Sequence, residues 1–162
     1  MRRIVQWMPV VLVAGSVCAC ALPRASEIQP ARTHIQTLRF AEPKDGLIDA
    51  KAKFDIYNTS QVETKIDEIH AVLLRGDVVV AKARRGGDHS IRAGHTAKVY
   101  VEFKDIPVAR LEAAIGRKLV KDGIEKFAIE GVIVYESEDG PVRHPIERFA
   151  ISTILGPKGS KM

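Results

Sequence analysis

Nine residues constrain this chain more than any others: Ala-Lys-Ala-Lys-Phe-Asp-Ile-Tyr-Asn at positions 50–58. Ala50, Ala52, Phe54 and Ile56 share one face of a two-residue period, Lys51, Lys53 and Asp55 share the other, and the turn formers Asn58-Thr59-Ser60 close the run. A period of two is the period of a strand, so this is a half-buried antiparallel strand with one apolar face. That face must be covered, which requires further strands and a second layer. Residues 97–104 repeat the pattern, with Ala97, Val99, Val101 and Phe103 alternating with Lys98, Tyr100, Glu102 and Lys104.

The neighbouring segments supply more strands. Residues 33–40, with Ile35, Leu38 and Phe40, form a strand closed by Glu42-Pro43-Lys44-Asp45-Gly46. Residues 66–74 and 78–83 form a hairpin around Arg75-Gly76-Asp77, and here Gly and Asp are read as turn formers rather than as an integrin-binding tripeptide. Ala71-Val72-Leu73-Leu74 is continuously apolar, so the inward face of this strand stays open. Arg85-Gly86-Gly87-Asp88 is expected to be a loop, with Ile91 isolated after it and Ala93-Gly94 a turn. Residues 127–135 form an apolar strand, Ser137-Glu138-Asp139-Gly140 turns, and residues 142–154 return as one strand. His144-Pro145 in that return calls for a bulge or an edge position.

One helix interrupts the strands. Val108, Leu111, Ile115 and Leu119 keep to one side of a 3.6-residue period, Asp105 is placed to cap it with Pro107 in its first turn, and Asp122-Gly123 ends it. About seven strands, one short helix and turn signals every eight to twelve residues give a mainly β chain, an antiparallel β-sandwich.

The ends read differently. Met1-Arg2-Arg3 followed by an apolar run to Val17 is a secretory signal, too short for a membrane span of about 20 apolar residues. Val17-Cys18-Ala19-Cys20 resembles the bacterial lipobox, which makes Cys20 the lipidated N-terminus; ordinary cleavage near Ala19 or Ala21 is the alternative. Two or more acyl chains would hold the domain stably at a membrane. By resemblance to sorted lipoproteins, Ala21 in place of Asp implies the periplasmic face of the outer membrane. The expected organisation is a signal peptide over 1–19, a lipidated N-terminus and tether over 20–32, the sandwich over 33–154 and a flexible tail over 155–162.

Removing Arg2 and Arg3 with the leader leaves 23 basic against 20 acidic residues, and only Lys82, Arg84 and Arg85 cluster, so no nucleic-acid partner is expected. With Cys18 and Cys20 both at the leader's end, the domain itself carries neither a disulfide nor a Cys-based metal site. His34, His70, His89, His95 and His144 lack ligand spacing, Glu136, Glu138 and Asp139 read as a solvated turn, and Ser90, Ser137 and Ser152 lack a nucleophile elbow. No catalytic, cofactor or metal site and no small-molecule substrate is therefore predicted.

Asn58-Thr59-Ser60, then Ile91-Arg92-Ala93-Gly94 leading into 97–103, then Glu130-Gly131-Val132 and Pro145-Ile146, resemble in order and spacing the late embryogenesis abundant type 2 family, the water-stress and hypersensitive-response domain. Thr59 and Ser60 stand where that family has Pro and Asn. The resemblance covers about residues 33–154 and implies an immunoglobulin-like or fibronectin-like sandwich with a role in desiccation and other stress. The expected function is a non-enzymatic, lipid-anchored envelope protein that protects or binds clients. The alternative is a structural or adaptor subunit docking through a sheet edge, with 33–40 or 142–154 as that edge.

Overall fold

The computed structural model describes residues 21–109, 127–150 and 154–155. They form β1 (Arg32–Phe40), β2 (Leu47–Tyr57), β3 (Thr64–Arg75), β4 (Val78–Ile91), β5 (Thr96–Pro107), β6 (Phe127–Glu136), β7 (Val142–Ala150) and β8 (Ile154–Leu155). One sheet has the order β5-β2-β1-β8 and the other β4-β3-β6-β7. All pairings are antiparallel except β1 with β8. This is an immunoglobulin-like β-sandwich in which the fourth strand pairs with the third rather than joining the sheet of the first, second and fifth.

The alternation in the sequence carries through to burial. Ala50, Ala52, Phe54 and Ile56 of β2 and Val99, Val101 and Phe103 of β5 are buried between the sheets. From the other sheet Ile69, Ala71 and Leu73 of β3 and Ile129, Ile133 and Tyr135 of β6 meet them. The ambiguous run in β3 is thus settled by pairing: Ile69 opposes Ile133 and Leu73 opposes Ile129, which turns His70 and Val72 outward.

Bulges account for the places where the period slips. In β1, Ile35 and Leu38 lie three apart yet both are buried, because Gln36 is an extra residue between pairs Ile35–Phe54 and Thr37–Lys53. In β4, the expected loop at 85–88 is instead continuous strand with an added residue between Gly86 and His89, Gly87 taking φ 139, so Ile91 ends the strand buried. In β5, Asp105 takes φ 54 in a bulge opposite Asp49, whose Oδ1 accepts its N–H at 2.9 Å. Asp105 and Pro107 therefore belong to a strand rather than to the first turn of a helix. Val108 and Ala109 are helical; the rest of the expected helix, and the tail 156–162, lie outside the described residues.

The return expected as one strand is split. β7 ends at Ala150 in one sheet, and Ile154–Leu155 pairs with Leu38 and Arg39 of the other. Residues 21–31, expected to be a tether, pack on the domain: Ile28 joins the core, and a 3-10 turn spans Ala25–Glu27.

Candidate functional site

A sandwich of two open sheets has two flanks, where an edge strand of one sheet meets an edge strand of the other, and in this chain the two differ. At the first, β4 meets β5. Arg85 lies on the inward side of β4, opposite buried Ile69, and its guanidinium donates to the Tyr100 carbonyl of β5, joining the sheets. Around this strap lies an open cleft of about 680 Å³ lined by Lys82, Arg84, Tyr100, Glu102 and Lys104 among others. Two of its lining charges are in ion pairs: Lys51 Nζ is 2.9 Å from Glu102 and 5.0 Å from the Tyr100 ring centre, and Arg84 bonds Glu68. The Arg84 guanidinium, and after it His70 at 2.8 Å, hold the Glu68 carboxyl below the usual carboxylate range, while Lys51 does the same to Glu102.

The second flank is open. β8 covers only Leu38 and Arg39 of β1, so among the described residues no strand pairs with residues 32–37 on the side away from β2. That edge borders a groove of about 510 Å³ whose walls include Pro30, Ala31 and Arg32 on one side and Pro145, Ile146 and Phe149 on the other. The ring of Phe149 meets His34 edge-on at 5.0 Å across it. The facing edge strand, β7, is guarded. Pro145 has no N–H to offer, and a register shift opposite Ile129 and Gly131 puts an extra residue between Ile146 and Phe149. Of the two edges expected from sequence, β1 is therefore the accessible one, and β7 is an edge that resists pairing.

At one end of the sandwich lie the turn residues 58–63, 92–95 and 137–141. Asn58 organises them: its Nδ2 donates to the carbonyls of Val62 and Ile91, both at 2.8 Å, its Oδ1 accepts Ser60 N–H, and its backbone pairs with His95 and Gly94. Thus the Asn58 and Ile91-Arg92-Ala93-Gly94 motifs meet in one knot. The N-terminal segment docks on this same end. Glu138 N–H donates to the Pro23 carbonyl at 3.0 Å, Asp139 accepts Ala25 N–H at 3.0 Å, Ser60 Oγ accepts Gln29 N–H at 2.9 Å, and Thr59 donates to the Pro30 carbonyl at 2.8 Å. The acidic turn read as solvated is thus partly occupied in holding this segment.

The histidines remain apart: His34 is on β1, His70 on β3, His89 on β4, His95 in a turn and His144 on β7. Among the described residues no three His, Cys, Asp or Glu side chains form a group that could hold a metal. Tyr135 packs edge-on against His144, 5.7 Å between ring centres; its hydroxyl and His144 Nε2 are buried without a hydrogen-bond partner among the described residues. Burial pushes the phenol far above its usual range, so it stays protonated. Ser137 Oγ donates to the Gly140 carbonyl at 2.5 Å, which makes it a turn residue. Cys20, the predicted lipidation site, and Ser152 lie outside the described residues. No described helix is long and apolar enough to cross a membrane.

The open edge of β1 was not separable from β7 in the sequence. The three-residue spacing of Ile35 and Leu38 marks a bulge against β2 and carries no information about the opposite edge. The groove residues come from segments more than a hundred positions apart, and only the β6–β7 hairpin brings them together.

No protein-family model and no curated protein sequence matches the chain. Solved structures do. A protein from Arabidopsis thaliana, known from its solution structure, is 14% identical, with 88% of this chain and 89% of that one covered and a TM-score of 0.54. The X-ray structure of a Northeast Structural Genomics Consortium target, SoR45, is 11% identical, with 78% and 88% covered and a TM-score of 0.51. At such identities the likeness is one of fold.

Proposed function

We propose that this chain is a non-enzymatic, lipid-anchored envelope protein whose sandwich binds other proteins, an extended segment of the partner adding to the open edge of β1. The observation that carries this reading is the stretch 32–37, about 20 Å of strand at 3.3 Å per residue, which among the described residues pairs with no strand on the side away from β2 and lies beside a groove with apolar walls at Pro30, Ala31, Ile146 and Phe149. Backbone groups of such an edge supply affinity without regard to sequence, and the groove supplies selection of side chains. Lipidation at Cys20 rests on the lipobox resemblance, and the absence of an enzymatic role rests on the lack of any catalytic constellation in the sequence.

A photo-crosslinker at Thr33, compared with one at Lys98 on the far flank and with Cys20→Ser, tests the reading in cells. A discrete set of partners captured from Thr33 alone is expected. Equal capture from Lys98 and Thr33, or capture of nothing, counts against edge docking. The resemblance to the water-stress domain implies a protective role instead, and it predicts a diffuse set of clients that grows on drying or heating.

A further inference from the structure

Residues 21–31 do not behave as a spacer, and their docking has a geometric consequence. Among the described residues Pro23 is the first hydrogen-bonded to the domain, through Glu138 N–H, and hydrogen bonds at Ala25, Gln29 and Pro30 and the buried Ile28 side chain hold the segment over its length. Cys20 precedes Pro23 by three residues, which span at most about 11 Å of extended chain. On the reading that Cys20 is acylated, we infer that the segment is a strut that stands the sandwich on one end, with residues 58–63, 92–95 and 137–141 against the lipid headgroups. The strands then rise from the bilayer and the open β1 edge meets partners at the membrane surface.

The far end carries the Gly76–Asp77 turn. β3 connects the two ends with 12 residues, a separation of about 40 Å at 3.3 Å per residue. The near end shows Glu27, Glu63, Glu138 and Asp139 to solvent together with Arg24, Arg32, Arg92 and Arg143. A surface of balanced charge gains little from anionic lipid. Orientation therefore comes from the anchor and the strut, and it is insensitive to salt.

The test uses the full-length lipoprotein made in cells, purified and reconstituted in phosphatidylethanolamine–phosphatidylglycerol vesicles carrying a headgroup nitroxide. Residues after Cys20 contain no cysteine, so Gln61→Cys and Asp77→Cys each give a single fluorophore site, one at each end. Quenching several-fold stronger at position 61 than at 77, unchanged by high salt and equalised by a flexible Gly-Ser insertion between Leu22 and Pro23, is the expected result. Equal quenching at both positions in protein that stays on the vesicles overturns the strut while leaving the anchor intact. Persistence of the difference after the insertion also overturns it. Protein that fails to associate, and matches Cys20→Ser in doing so, overturns the anchor and the inference together.

Discussion

The two flanks of this sandwich solve one problem in opposite ways. Where β4 meets β5, a cation on the inward side of an edge strand reaches across and bonds the backbone of the other sheet, and the Lys51–Glu102 and Arg84–Glu68 ion pairs border the cleft. Where β1 meets β7, the sheets meet through a ring contact between His34 and Phe149, and a groove lies open. Both flanks expose strand edges, yet among the described residues it is at the second that a backbone edge without a partner strand borders a groove with apolar walls. Edge strands are liabilities unless blocked. A flank that is strapped on one side and left open on the other is the pattern expected of a module that binds on one side.

The largest effect should come from a substitution that disturbs both flanks at once. Gly131 sits in β6, and a Cβ there would lie far inside contact distance of the His70 carbonyl of β3. Gly131→Ala should cost ~3 kcal/mol, toward the top of the usual overpacking range, read from the urea midpoint at unchanged slope. A wild-type midpoint would mean that the two strands separate easily and that the flanks are not rigidly coupled.

Next comes Phe149→Ala, which removes half-buried ring area from the open flank and should cost about 1.5 kcal/mol. Hydrogen exchange should quicken in β7 and leave β5 alone. Arg85→Ala should do the reverse: about 1 kcal/mol, since a charged hydrogen bond is discounted by its exposure, with faster exchange in β4 and β5. If both variants loosen both flanks equally, the contrast between them is wrong.

The smallest effect concerns the buried phenol near the open flank. Tyr135→Phe removes an unpaired hydroxyl and should leave stability unchanged or raise it by up to ~1 kcal/mol. Its pH signature is sharper. A phenol raised above its unfolded value keeps its proton when the unfolded chain loses one, so the folded state weakens as the pH climbs past about 10. Alkaline denaturation monitored by circular dichroism should show this limb in the wild type and lose it in Tyr135→Phe.

Much of the fold was legible because period-two alternation needs no partner to be read. Ala50, Ala52, Phe54, Ile56, Val99, Val101 and Phe103 declared their inward face before any pairing was known, and Gly76-Asp77 and Ser137–Gly140 declared their turns. The family resemblance, Cys20 and the protective role stand as readings of the sequence that the fold leaves open. Features that depend on register were not legible. Gln36, Gly87 and Asp105 are bulge positions, and whether an extra residue makes a loop, a cap or a bulge depends on the strand it lies beside.

The same reason divides the molecule as a whole. Local pattern determined that this chain makes a two-layer β structure with charged outer faces, because burial of alternate side chains is a property of one strand at a time. Tertiary structure alone decided which edge is open, because edges exist only once strand order is set. It also decided that residues 21–31 are part of the domain. Ile28 stands in a stretch with no apolar period, and nothing short of the assembled core and the turns around Asn58 and Asp139 supplies the partners that hold it.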